Sequence, residues 1–334
     1  MILKVLTKKE LNKIDTLPFM RDYDGYVAYR ILREHELRKY LLNRILCGGE
    51  TGKKILILGA YRKNQLVGLA VYTFLPWDTR ILGIRTACVK FLVADGTCHD
   101  QVLIKCSLLS HLFEICRQEK TQFLNCRIKT DDVSGIHALE KQGFYLVETL
   151  VRYIFSRDKH SIPELRDLYR IREFKRNDLG RLRHLAKNSF RKNHFHRDLH
   201  IPQDKADAIY TKWLDRYCLD MPCEHVLVAE NSEREAAGFL LYDFNQGLAD
   251  TNGYRMIGHG LAAVSPRARG AFPALIKETI KRTVSFYDGA EFDTQIDNYV
   301  AMRIYQKFGF DYLCSHYTFH NWLSHECNTE NKKL

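Results

Sequence analysis

Residues 267–272 read Arg-Ala-Arg-Gly-Ala-Phe, between an apolar strand-like run at 260–264 and a helical run that opens on Pro273. A turn of this kind can hold phosphate. The first amides of a helix have no intrahelical acceptor, and the helix dipole adds partial positive charge there. Gly270 lets backbone approach a ligand closely, and Arg267 and Arg269 can neutralise a diphosphate beside the amides of Ala271 and Phe272. An exposed turn with two solvated arginines has the same composition, so the turn alone decides little. Farther on, Asn298, Ala301, Tyr305, Gly309 and Phe310 follow in order. Asn298 can cap a helix after a strand. Tyr305 shares a helical face with Ala301, Ile304 and Phe308, so it is either a core aromatic or a phenol presented to a ligand.

Other residues with chemical potential are less decisive. His259 alternates with Ile257 and Leu261 on the strand before the turn. Gly258 and Gly260 flank it, as where a ligand or another backbone comes close. His194, His196 and His200 crowd the loop at 193–200, but no carboxylate or cysteine is spaced to close a tetrahedral site, and no metal is expected. None of the ten cysteines forms a C-x-x-C pair. Cys106, Cys116 and Cys126 fall in helix and strand patterns and read as small buried apolar residues.

The elements that must position these residues come in two similar series. Residues 1–48 have helical periodicity. Strands are expected at 53–61, 65–75, 86–95 and 123–129, with helices at 102–116 and 134–142 before Gly143-Phe144 opens another strand. The polar stretch 156–167, with Pro163, reads as a linker. Beyond it come a strand at 169–174, helices at 179–189 and 205–217, a hairpin, one long strand at 254–264, a helix at 273–287, a strand at 290–297 and a helix at 300–308. Gly309-Phe310 then opens the last strand. The segments RIKTDDVSGIHALEKQGFYLVE and DTQIDNYVAMRIYQKFGFDYLC each read strand, short helix, Gly-Phe, strand. Two copies of one α/β unit explain this better than two unrelated domains. The expected division is 1–157, a linker at 158–166, 167–324, and a polar tail at 325–334.

A chain of 334 residues with 46% hydrophobic residues can fill two cores. Its net charge of +11 is spread along the chain, without a basic tail, so net charge alone favours a nucleic-acid partner and none is expected. No stretch suits a signal peptide or a membrane span, which places the expected location in the cytoplasm.

The ordered set of phosphate turn, helix, strand, Asn cap, Tyr helix and Gly-Phe resembles the GNAT superfamily of N-acetyltransferases. Their coenzyme A turn is Arg/Gln-x-x-Gly-x-Gly/Ala between a strand and a helix. Arg267, Gly270 and Phe272 occupy its marked positions, Phe272 in place of the usual small residue. The resemblance implies a mixed α/β (α+β) fold of two tandem GNAT-like domains, the N-terminal one degenerate. It implies acetyl-CoA and direct acetyl transfer to a primary amine. Leu261, Ala262, Ala263 and Val264 would pair with the pantetheine arm through their backbone, and a main-chain amide near Ala263 would hold the oxyanion. The turn amides would bind the pyrophosphate, Asn298 would help hold the pantetheine, and Tyr305 would protonate the departing thiolate. For the base, His259 stands beside a water relay as alternatives.

A closer resemblance, over about residues 72–323, is to the dTDP-fucosamine (dTDP-4-amino-4,6-dideoxygalactose) acetyltransferases. It is carried by residues 75–91, 134–148 and 188–216, the last outside the cofactor motifs. It implies a nucleotide-linked amino sugar as acceptor, with Phe195, Arg197 and Tyr210 near it. Other amines (an amino acid, an aminoglycoside, a polyamine or a protein) remain open, as do a non-catalytic acyl-CoA-binding role and a homodimer. In the first half, Asp132 and Leu139 stand where the second has Asn298 and Tyr305. Its turn carries Asp95 and Asp100 where phosphate would lie, an unfavourable arrangement. That half is expected to be a structural pseudo-domain.

Overall fold

The computed structural model describes residues 1–11, 24–46, 54–159, 168–221, 225–258 and 260–323. The chain opens with β1 (Ile2–Val5), α1 (Lys8–Leu11), α2 (Asp24–Ala28) and α3 (Glu34–Leu46). β2 (Ile55–Arg62) and β3 (Gln65–Phe74) form a hairpin whose two-residue turn sets both Lys63 and Asn64 at positive φ, the twist such short turns need. There follow α4 (Pro76–Leu82), β4 (Thr86–Ala94), α5 (Cys98–Gln118), β5 (Phe123–Lys129), α6 (Val133–Lys141) and β6 (Tyr145–Ser156). The rest comprises β7 (Arg170–Glu173), α7 (Leu179–Ser189), α8 (His194–Arg197), α9 (Gln203–Leu219), β8 (Val226–Glu230), β9 (Ala236–Leu241) and β10 (Asp243–Phe244). Then come α10 (Gln246–Asn252), β11 (Met256–Gly258), β12 (Ala262–Val264), α11 (Ala271–Phe286), β13 (Gly289–Gln295), α12 (Tyr299–Lys307) and β14 (Asp311–Trp322). Among the described residues no helix is long and apolar enough to cross a membrane.

The chain forms two compact units, neither a continuous segment. The first comprises residues 1–24, 41–148 and 316–334; the second, residues 25–40 and 149–315. The first unit's sheet runs β1-β2-β3-β4-β5 and then takes the end of β14, whose His316 lies opposite Lys129 and Trp322 opposite Phe123. The apolar stripe of α5 covers it, placing Leu108, Leu109, Leu112 and Cys116 against Val89, Leu124 and Phe319. Cys116 and Cys126 are buried, and Cys106 is half-buried against the same core.

In the second unit β6 pairs antiparallel with β13, from Leu150 opposite Gln295 to Ser156 opposite Gly289. The strand order is β6-β13-β11-β10, and a second sheet runs β12-β9-β8-β7. Helix α11 and the aromatic face of α12 close the core between Ile276, Ile280, Phe292 and Phe308. Each half therefore lends a closing strand: β6 pairs in the second unit and β14 in the first. Most of the linker expected at 158–166 lies outside the described residues.

The internal repeat is visible in backbone detail. Asp132 caps α6 by accepting from the Gly135 amide at 2.9 Å, and Asn298 caps α12 by accepting from the Ala301 amide at 3.4 Å. Gly143 and Gly309 end these helices at φ 78° and 79°. The next amides, of Phe144 and Phe310, return to the carbonyls of Leu139 and Tyr305, each at 3.0 Å. The long strand expected at 254–264 is a correction: it breaks into β11 and β12, which lie in different sheets.

Candidate active site

The turn at residues 267–272 lies between β12 and α11. β12 ends where the Ser265 amide donates to the Ala237 carbonyl, and the Ala268 amide donates back to Ser265. Buried Ala268 anchors the turn. Gly270 takes φ 91° as the cap of α11, a conformation costing other residues about 1–2 kcal/mol. The Ala271 amide donates to Ala268, but among the described residues the Gly270 and Phe272 amides have no acceptor. They stand at the positive end of a 16-residue helix. Arg267 and Arg269 are exposed and have no acidic partner among the described residues. An open groove of about 480 Å³ adjoins the turn, lined by Tyr169, Ile171, Gly270, Ala274, Lys277 and Lys281 among others. Unmatched positive charge and free amides together suit a diphosphate.

A wedge opens beside this turn. β11 pairs in parallel with β13 only as far as Gly258 opposite Glu291. The chain then crosses to the other sheet, where β12 pairs with β9. Gly260 marks the crossing: a Cβ there would lie 1.3 Å from the Leu241 carbonyl oxygen. β12 is an edge strand, and β13 beyond Glu291 has no described strand partner on that side. Leu261 and Ser265 bond to β9, so alternation turns the amide of Ala263 toward β9 and those of Ala262 and Val264 outward. An extended chain bearing amide groups can pair with such open edges. Coenzyme A fits both features, a diphosphate at the turn and an amide-bearing arm in the wedge.

Tyr305 lies beside this wedge. Its ring stacks on Phe292 at 5.9 Å between centroids and also meets Tyr153, Phe272 and Phe310. The residue is 4% exposed, and among the described residues its hydroxyl has no hydrogen-bond partner. Burial, then the charge of Asp293, raises its pKa well above the phenol's usual value, so the phenol stays protonated near neutrality. Phe272, the departure from the usual small turn residue, packs edge-on against this ring. The Asn298 side chain caps α12 and donates to the Thr294 hydroxyl at 2.9 Å. His259 lies outside the described residues.

The expected acceptor residues separate. Phe195 is buried against His194, and Tyr210 stacks on Phe190 at 4.6 Å, so both pack inside the α7–α8–α9 layer. Arg197 does reach the site's rim, pairing with Asp297, the residue before Asn298, at 2.8 Å. The other Asp297 oxygen is buried and has no partner among the described residues. His196 is held by Asp207 at 2.9 Å and by Asn193 at 2.7 Å, a structural arrangement.

Sequence reasoning missed a buried charged group on β13. Glu291 accepts from the Tyr26 phenol at 2.7 Å, and Asp293 is gripped by Arg152 at 2.6 and 2.8 Å. The alternation of residues 290–297 carried a signal, since it sets both carboxylates on one face of a central strand. Nothing local pointed to Tyr26.

The first unit's equivalent turn carries carboxylates. The Gly96 amide donates to the Asp95 carboxylate, and the Thr97 hydroxyl takes the Asp100 amide. Lys105, 2% exposed, pairs with Asp132 and Ser134.

Comparison with solved structures identifies the architecture. A GCN5-related N-acetyltransferase from Sphaerobacter thermophilus aligns over 96% of this chain and 95% of its own, with TM-score 0.60 and 16% identity. A tandem GNAT protein from the clavulanic acid biosynthesis pathway covers 96% and 98%, with TM-score 0.53 and 14% identity. The chain has the tandem GNAT fold. In sequence, the GNAT-fold chain is 24% identical over 277 residues to the spore coat polysaccharide biosynthesis protein SpsD of Bacillus subtilis. That match spans 79% of this chain and 87% of the relative. No family model matches.

Proposed function

We propose that this protein is an acetyl-CoA-dependent N-acetyltransferase that works in its second unit and acetylates the primary amine of a nucleotide-linked amino sugar. One coincidence carries the reading: the free-amide turn, the two open strand edges and the unpartnered buried phenol stand together in one unit. The fold supports it, because in GNAT enzymes these features serve coenzyme A. The relative named for polysaccharide biosynthesis, and the resemblance over residues 188–216, favour a sugar acceptor.

In this reading Arg267, Arg269 and the amides of Gly270 and Phe272 fix the diphosphate. Ala262 and Val264 orient the arm through their outward backbone groups and polarise the thioester carbonyl. Tyr305 hands its phenolic proton to the departing sulfur as the amine nitrogen bonds to the acyl carbon. Arg197, beside Asn298, meets the sugar nucleotide's diphosphate. The first unit has a supporting role.

The test is an acceptor panel with acetyl-CoA, followed by thiol release and the mass of the product. dTDP-4-amino-4,6-dideoxygalactose should exceed amino acids, aminoglycosides and polyamines in kcat/KM by about 100-fold or more. Preference for another amine would overturn the acceptor, and stabilisation by coenzyme A without turnover of any amine would overturn the enzyme.

A further inference from the structure

We infer that Glu291 is the group that takes the proton from the attacking amine. This rests on the acyltransferase reading above and deepens it.

The two faces of β13 differ. Ala290 and Phe292 join the core under α11 and α12, whereas Glu291 and Asp293 point to the opposite face. The two carboxylates are not equivalent. Arg152 holds Asp293 through two short bonds. Arg152 reaches Glu291 only at 3.9 Å, and the nearer contact to Glu291 is the Tyr26 phenol at 2.7 Å. Glu291 is 1% exposed.

Its position in the strand matters most. Glu291 faces Gly258, the last pair before β11 leaves β13, so it stands at the apex of the wedge. A Cβ at Gly258 would lie 2.8 Å from Glu291 Cγ and 3.4 Å from Oε1. The carboxylate thus lies over bare backbone where the tip of an arm threaded into the wedge would arrive. A second observation points to the same place. The Tyr305 phenol, buried and without a partner among the described residues, belongs to the opposite face of the same strand and feels the charge of Asp293. A proton donor and a proton acceptor therefore flank the wedge.

The protons balance. The amine arrives as an ammonium and gives one proton to the Glu291 carboxylate before the C–N bond forms. As the C–S bond breaks, the Tyr305 proton passes to sulfur and the second N–H proton passes to the Tyr305 oxygen. Glu291 ends protonated and releases its proton to solvent once the products leave. Among the described residues, the groups around Glu291 include Tyr26 from α2, Arg152 from β6, Asp293 on its own strand and Gly258 from β11. Tyr40 and Asn245 form hydrogen bonds behind Tyr26.

The experiment measures kcat/KM for dTDP-4-amino-4,6-dideoxygalactose against pH in the full chain and in Glu291→Gln. Acetyl-CoA affinity is measured alongside by calorimetry. Near pH 7 the variant should lose about 100-fold or more, and the deficit should shrink about tenfold per pH unit as free amine accumulates. Acetyl-CoA affinity should stay within about twofold, the arm being held elsewhere. A deficit equal at every pH, or a wild-type profile, overturns the assignment of Glu291 alone. No turnover by the wild-type chain overturns the acyltransferase reading instead. If Glu291→Gln fails to fold, Tyr26→Phe decides. Losing a donor to the ionised carboxylate should move the acidic limb of the profile to higher pH with its plateau kept, and an unmoved limb overturns the inference.

Discussion

Tyr305 sits 4% exposed in an otherwise apolar cage, and among the described residues its hydroxyl has no hydrogen-bond partner. Phenylalanine would fill the same space. The two roles of the residue therefore predict opposite things. If Tyr305 is only a core aromatic, Tyr305→Phe leaves activity intact. If it is the acid, the variant unfolds at about the same temperature while kcat falls by about 100-fold or more and acetyl-CoA affinity holds. Thermal melts and steady-state kinetics on one preparation check this, and unchanged kcat would remove the role. Tyr305 was legible in sequence because helical spacing and the Gly-Phe that follows placed it. Its missing partner was not, because spacing along a chain does not say what surrounds a hydroxyl.

At the scale of elements, the central feature is a strand that belongs to two sheets. Residues 254–264 read as one continuous strand, since Ile257, Leu261 and Ala263 alternate as a strand should. The break follows from contacts far along the chain. Gly258 meets Glu291, and Gly260 passes so close to Leu241 that no side chain fits. The glycines flanking His259 were visible as a mark of close approach, but what approaches was not. Gly260→Ala should therefore act on the wedge directly. Its methyl would sit inside the Leu241 carbonyl, forcing β12 and β9 apart. The expected loss is about 4 kcal/mol or more of stability, of the size seen for severe core clashes. Chemical denaturation checks this. A loss below about 1 kcal/mol would show that the crossing is not as tight as the geometry requires.

At the scale of the whole chain, two copies of one backbone plan have diverged in chemistry. The repeat was legible because both halves end in the same order of strand, cap, short helix and left-handed glycine. The exchange of β6 and β14 was not, because pairing between distant strands leaves no local trace. In the proposed reading, divergence at equivalent points gives the halves different work. Where the second unit has two arginines without acidic partners among the described residues, the first sets Asp95 on the Gly96 amide and pairs Asp100 with Arg62. Where the second has Asn298 and Tyr305, the first has Asp132 tied to Lys105, and Leu139 in its core. A diphosphate approaching the first turn would meet two carboxylates, and Leu139 has no proton to give. Calorimetry should accordingly find one acetyl-CoA bound per chain, with Arg267→Glu and Arg269→Glu together abolishing it. Two equivalents per chain, or one equivalent surviving that double change, would mean that the first unit binds the coenzyme through contacts other than those of the second.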